Sequence, residues 1–144
     1  MTFAYFDTSA LVKRYVRERG SAQVASLLNR HDLLSSAITS VEVASALSRK
    51  KRGGELSEAD FLTTLTRIQG ERVRWELVEV GQGVLSRAEE VVQGTVAMRA
   101  LDAIHIASLM TFEAAAGVRV PLITGDGRQR DAAQRMKLDV VWVG

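Results

Sequence analysis

Five short apolar stretches of β type, at residues 3–6, 33–38, 75–80, 120–124 and 140–143, alternate with segments of helical periodicity at 9–19, 21–29, 40–52, 58–72, 82–93, 99–115 and 128–137. Strands separated by helices cannot be joined as hairpins. The intervening helices act as crossovers, which place neighbouring strands parallel and cover both faces of the sheet. The expected fold class is therefore α/β, a three-layer α/β/α domain with a central parallel sheet. With 144 residues, 47% of them hydrophobic, and one proline, Pro121, the chain is expected to form a single domain over residues 1–144. Helix ends are legible as well. Ser57, three residues before Asp60, reads as an N-cap, and "RKKRGG" puts positive charge and then glycine where a helix C-terminus favours them.

The residue inventory narrows the chemistry. There is no cysteine, which excludes disulfides and thiolate metal sites and suits a reducing cytoplasm. Only His31 and His105 carry imidazole, so a metal site has to be built mainly from oxygen ligands, which favour Mg²⁺ or Mn²⁺ over zinc. No basic leader precedes a long apolar run, and no stretch reaches 18 uninterrupted apolar residues, so neither export nor membrane insertion is expected. The formal charge is only +2, yet Lys and Arg cluster near the start and at Arg49–Arg52, where they can attract a polyanion or simply be solvated.

Four acids stand out, and each has an ordinary alternative. Asp7 follows the first strand and can cap the next helix. Thr39 and Glu42 have capping-box spacing, and Asp126 precedes the last helix as a cap would. Asp102 is harder to place. In "ALDAIHIASLMTF" apolar residues occupy almost every direction around the helix axis, the pattern of an enclosed helix. The helix dipole offers a carboxylate there about 0.3 to 1 kcal/mol, whereas desolvating an unpaired ion costs several times more. Asp102 needs a partner, and His105, one turn on, is the structural candidate.

Topology suggests another answer. Residues just beyond the C-terminal ends of parallel strands share one crevice, and Asp7, Glu42 and Asp126 each follow a predicted strand there. Asp102, early in a crossover helix, can lean over the same edge. Two like charges about 4 Å apart repel by about 4 kcal/mol at an effective dielectric of 20, so four converging carboxylates call for protons or cations. A divalent cation relieves that repulsion and can polarise a phosphoryl oxygen.

"YFDTSALVKRY", "TSVEVASAL", "ALDAIHIASL" and "LITGDGRQRDAA" resemble, in order and spacing, the four acidic motifs of PIN-domain ribonucleases, most closely the VapC-type toxins of toxin–antitoxin systems. The likeness runs from Phe3 to Val143. It implies endonucleolytic cleavage of RNA that depends on Mg²⁺ or Mn²⁺ and leaves 5′-phosphate and 3′-hydroxyl ends. It also implies a homodimer and a small antitoxin that inserts residues near the active site. Carried over, the catalytic and metal-holding quartet is Asp7, Glu42, Asp102 and Asp126, with Thr8, Ser9 and Thr124 as supporting hydroxyls. Two departures accompany the likeness. Some members have another acid close behind the fourth motif, where this chain has Gly127 and Arg128, leaving Asp131 as the candidate outer metal ligand. Lys137 also stands where relatives often have glycine.

Lys13, Arg14, Arg49, Arg128 and Arg130 are the candidate RNA contacts. Phe61, Leu62, Leu65 and Ile68 form an apolar stripe that packs on the core or receives the antitoxin, and Trp75 and Trp142 read as core or sheet-edge residues. Two further readings use the same fold: a binding module without turnover, and a housekeeping nuclease in RNA processing. A phosphatase or phospho-receiver lacks its mark, because Asp7 is followed by Thr8 and Ser9 rather than by a second acid.

Overall fold

The computed structural model describes residues 1–144. Its sheet contains five parallel strands in the order β3-β2-β1-β4-β5, namely β1 Thr2–Phe6, β2 His31–Ser36, β3 Glu76–Val78, β4 Leu122–Thr124 and β5 Val140–Trp142. Seven α-helices connect and cover them: α1 Thr8–Tyr15, α2 Ser21–Arg30, α3 Thr39–Arg52, α4 Glu58–Glu71, α5 Gln82–Val92, α6 Ala100–Ala116 and α7 Gly127–Arg135. The expected α/β/α layering is what the chain adopts. None of the helices is long and apolar enough to cross a membrane.

The period-two geometry of the central strand divides the core. Ala4 and Phe6 face a cluster with α1 to α4 that includes Leu11, Val24, Val43 and Leu47, whereas Tyr5 faces the opposite cluster with α5 to α7, including Val84, Ile106, Leu109 and Ala133. Burying a side chain such as Phe6 contributes about 1.5 to 3 kcal/mol, so β1 is pinned from both sides just before Asp7. The chain builds outward from β1 to β2 and β3, then returns to add β4 and β5 on the other flank. The switch point lies between β1 and β4, where Phe6 pairs with Ile123. An open parallel sheet offers its ligand crevice there.

Several boundaries differ from the sequence reading. The first helix stops at Tyr15 rather than at residue 19, because Val16 is extended and the chain turns through Gly20 at φ 88°. A Cβ on Gly20 would stand 1.8 Å from the Val143 carbonyl oxygen, so glycine is required for the turn to pass beside β5. The second strand begins at His31, whose pairing with Thr2 extends the ladder by two residues that look polar in sequence. Lys137, which stands in a glycine-like position, has φ 61°, the left-handed conformation for which glycine is suited. Ser57 does cap α4 through the Asp60 N–H. Phe61, Leu65 and Ile68 pack on the core and leave only Leu62 of the α4 stripe well exposed. Trp75 packs against the core as well, and Trp142 sits on the edge strand, partly exposed.

Candidate active site at the sheet edge

Asp7 leaves β1 and caps α1. Its Oδ1 accepts from the Ala10 N–H at 3.0 Å and from the Ser9 hydroxyl at 2.6 Å, while Oδ2 accepts from the Thr124 hydroxyl at 2.5 Å. It is 3% exposed. Burial pushes its carboxyl above the usual range, against the opposing pull of His105 and of the three donors. The cap and the site thus use the same carboxylate, and Thr124 ties it to the end of β4.

Glu42 behaves differently from its capping-box spacing. Thr39 turns its hydroxyl to Ser35 at 2.7 Å, and α3 has no side-chain cap. Freed of that role, Glu42 Oε1 accepts from the Thr8 hydroxyl at 2.7 Å and lies 2.7 Å from His105 Nε2. Partial burial disfavours its charge, but the hydrogen bonds from His105 and Thr8, together with the imidazole's field, outweigh burial and hold it below the usual carboxylate range. His105 therefore belongs to Glu42 and not, as sequence spacing had it, to Asp102.

Behind the imidazole, the hydroxyl of fully buried Tyr5 lies 2.8 Å from His105 Nδ1. Burial first, and then the charge of Asp7, raise the phenol's pKa well above its ordinary value, so Tyr5 remains a neutral donor. Tyr5 and Glu42 thus hold the imidazole between them, one at each ring nitrogen, with Nε2 turned to Glu42.

Asp102, in the first turn of α6, has Oδ2 3.6 Å from Arg99 Nε, and its side chain is 15% exposed. The helix is largely buried from Ala103 to Leu109, but Leu101 is half exposed, so the first turn opens to the crevice. Asp126 caps α7, with Oδ1 accepting from the Arg128 N–H at 2.9 Å. Gln129, buried in α7, donates through Nε2 to the Asp102 carbonyl at 3.4 Å and links the third and fourth motifs.

Asp7, Glu42, Asp102 and Asp126 line one cleft of about 560 Å³, with Thr8 and Ser9 in its wall. Thr124 acts from behind through Asp7. Glu42 Oε2, both Asp102 oxygens and Asp126 Oδ2 accept no hydrogen bond from protein, whereas one oxygen each of Glu42 and Asp126 is already engaged. This hard-oxygen donor set suits Mg²⁺ or Mn²⁺, which typically take one or two carboxylates and keep several waters. No three acidic or histidine side chains are drawn together closely enough to form a chelating cluster.

The proposed RNA contacts separate. Arg49 lines the cleft, and Arg128 lines an adjoining cavity that also contains Asp131. Lys13 is buried, with Nζ held by the Arg19 carbonyl at 2.6 Å and by Glu18 at 3.3 Å, so substrate cannot reach it. Arg14 points away and pairs with Glu71 at 2.9 Å. Arg130 pairs with Asp131 at 2.9 Å and stacks over Trp142 at 4.4 Å. Asp131 lies outside the acidic cleft, which weakens its case as an outer metal ligand. Sequence reading missed Tyr5, Arg99 and Gln129. Arg99 had a usable signal, an Arg three residues before the central acid at a helix start; Tyr5 and Gln129 had none.

The PIN domain family matches residues 4–135. The chain belongs to the PIN-domain family. Ribonuclease VapC35 of Mycobacterium tuberculosis is 32% identical over 143 residues, 97% of this chain and 96% of the relative. Among solved structures, the PIN domain here is similar to FitAcB from Neisseria gonorrhoeae, with TM-score 0.73, 14% identity and 96% of each chain covered. It is also similar to VapBC2 from Rickettsia felis bound to a promoter DNA fragment, with TM-score 0.67, 12% identity, and 99% of this chain and 100% of the other covered. A toxin-antitoxin complex from Klebsiella pneumoniae aligns with TM-score 0.61 and 18% identity over 85% of this chain and 86% of the other. At these identities the solved structures speak for the fold.

Proposed function

We propose that this PIN domain is a divalent-metal-dependent endoribonuclease, acting in the cytoplasm as the toxin of a toxin–antitoxin pair. The observation that carries the reading is the convergence of four motif carboxylates on one cleft at the sheet's switch point. The 32% identical relative named a ribonuclease favours the same activity. Residues 1–144 serve as one nuclease domain, paired as a homodimer and restrained by a small antitoxin; the antitoxin is favoured by the similar solved structures that are named as toxin–antitoxin complexes.

Asp7, Glu42, Asp102 and Asp126 are the residues that would hold Mg²⁺ or Mn²⁺. The bound cation would supply charge neutralisation and polarisation of the phosphoryl oxygen. The other tasks fall to the chain itself. Asp7, immobilised by its three donors, fixes one corner of the cleft. His105 and Thr8 orient Glu42 so that Oε2 is the oxygen left for work. Asp102 and Asp126 present the unengaged oxygens, and Asp102 is free to take a proton from the water that adds to phosphorus and to return it to the departing 3′-oxygen, which leaves as a hydroxyl. Arg49 and Arg99, both lining the cleft, attract the phosphodiester that carboxylates alone would repel.

The test is cleavage of a mixed RNA pool with Mg²⁺, Mn²⁺ or EDTA, comparing wild type with Asp102→Asn. Cleavage in Mg²⁺ or Mn²⁺, lost in EDTA and in the variant, is expected. Cleavage that survives both sinks the mechanism, and RNA binding without cleavage in any ion makes the protein a binding module. Growth arrest on expression, relieved by a small protein encoded beside it, is the expected sign of a toxin.

A further inference from the structure

Beside the acidic cleft lies a second cavity of about 440 Å³ that shares Arg99 and Asp102 with it. Its rim carries Arg99, Arg128 and Arg135, and its floor includes Val96, Met98 and Ala132. Val96 and Met98 pack on the core cluster beneath α6 and α7, so the floor is backed by fixed structure. The two carboxylates at this cavity are partly engaged. Asp131 pairs with Arg130 at 2.9 Å, and Asp102 lies 3.6 Å from Arg99. Arg128 and Arg135, both exposed, have no carboxylate within 4.0 Å. Two unpaired guanidiniums over an apolar floor, one wall away from four carboxylates, make an uneven charge pattern with a specific use.

We propose that this cavity is a nucleotide subsite, which binds the phosphate and base of the single-stranded RNA residue next to the bond being cut. The inference rests on the ribonuclease reading of the adjoining cleft. A polyanion approaching four carboxylates is repelled unless cations hold it on either side. Arg49, on α3, stands in the wall of the cleft, and the arginine rim continues from Arg99, which lines both cavities. Guanidinium groups bind phosphate oxygens bidentately, and their planes, like apolar side chains, accept the face of an unstacked base. Sharing Arg99 and Asp102, the two cavities adjoin, so a strand with its scissile phosphate among the carboxylates has its neighbouring nucleotide within reach of the Met98 floor.

The test compares Arg128→Ala, Arg135→Ala and the double variant with Arg30→Ala/Arg74→Ala, which removes equal charge elsewhere. Binding of a fluorescein-labelled 12-nucleotide single-stranded RNA in EDTA is followed by anisotropy across a salt series, and KM is measured in Mg²⁺. For the double variant the expected result is a Kd about tenfold weaker, a raised KM, and a salt slope smaller by about 0.7 for each phosphate that is no longer held. An RNA with an abasic ribose at the neighbouring position binds wild type more weakly, and the double variant does not discriminate against it. Wild-type Kd, KM and slope in the double variant, or equal losses in the control, overturn the subsite while leaving the nuclease reading intact. Loss of binding to an acidic polypeptide with RNA binding unaltered also overturns it, by assigning the rim to a protein ligand. Failure of wild type to cleave any RNA condemns the nuclease reading instead. Arg128 is exposed, so Arg128→Glu provides a stronger single lesion that does not threaten folding.

Discussion

The two ends of the sheet treat their acids in opposite ways. Near the starts of β1 and β2, Glu71 receives Arg14 at 2.9 Å, Arg67 at 3.0 Å and the Tyr15 hydroxyl at 3.4 Å. At the other end, four carboxylates share a cleft with hydroxyls, one imidazole and Arg99 at 3.6 Å from Asp102. The contrast is sharpest between Glu71 and Asp7, since Glu42 in the cleft is also lowered, by His105 and Thr8 rather than by arginines. Burial disfavours the charge of Glu71, but Arg14 and Arg67 outweigh it and hold the group below the usual range, whereas burial prevails at Asp7 and raises it. Where charge serves only the fold, it is neutralised on the spot. Where four carboxylates face only two arginines, Arg49 and Arg99, the charge is left unmatched, which is the feature on which the proposed function rests.

The sharpest way to break this contrast is Asp102→Asn. RNA cleavage should fall by about 100-fold or more, given the several kcal/mol such sites contribute, while the melting temperature holds or rises as like-charge repulsion is relieved. Cleavage assays and thermal unfolding of the same preparation check both halves. His105→Ala comes next. It leaves the Tyr5 hydroxyl and Glu42 without their shared partner, at a cost of about 1 to 3 kcal/mol in stability, and should lower cleavage about tenfold; denaturant unfolding and kcat/KM are the measures. At Asp126 the cap and the charge can be separated. Asn caps as well as Asp, so Asp126→Asn should lose activity at near-normal stability, whereas Asp126→Ala also loses about 1 kcal/mol.

The smallest effects have opposite signs at the two ends. Glu71 has a lowered folded pKa, so its contribution is complete above the unfolded value near 4.5 and disappears as pH falls through the folded value. Glu71→Gln should therefore cost about 1 kcal/mol at pH 7, nothing in stronger acid, and leave cleavage within twofold. For Asp7 the folded pKa is raised, so the folded chain binds its proton more tightly than the unfolded one, and stability declines as pH rises from 3.8 through the folded value. In EDTA, Asp7→Asn should flatten that decline. Urea melts across pH 3 to 7 distinguish the two slopes.

Much of this was legible in the chain, for definable reasons. Alternating short β runs and helical segments fix a parallel layered sheet because few other connections are available, and the acids after the strands fall at the crevice by topology alone. Partner choice was not legible. His105 and Glu42 are 63 residues apart, and no local spacing announces their contact. The Thr39-x-x-Glu42 pattern misled because Ser35 offers Thr39 a closer buried partner. Lys13 and Arg14 looked like a solvated basic run, yet one is swallowed beside the Arg19 carbonyl and the other crosses to Glu71. Charge runs reveal composition, whereas side-chain destinations depend on what arrives from elsewhere in the chain.

The link from Thr124 to Asp7 spans 117 residues and joins the central strand to one of the last to be made. A nascent chain that has emerged only through β3 holds Asp7 and Glu42 but has none of the α6 and β4 residues that complete the cleft. Loop closure over such a distance comes late in folding. During synthesis, therefore, the acidic cleft stays incomplete until β4 has been made and Asp126, at the start of α7, has followed it.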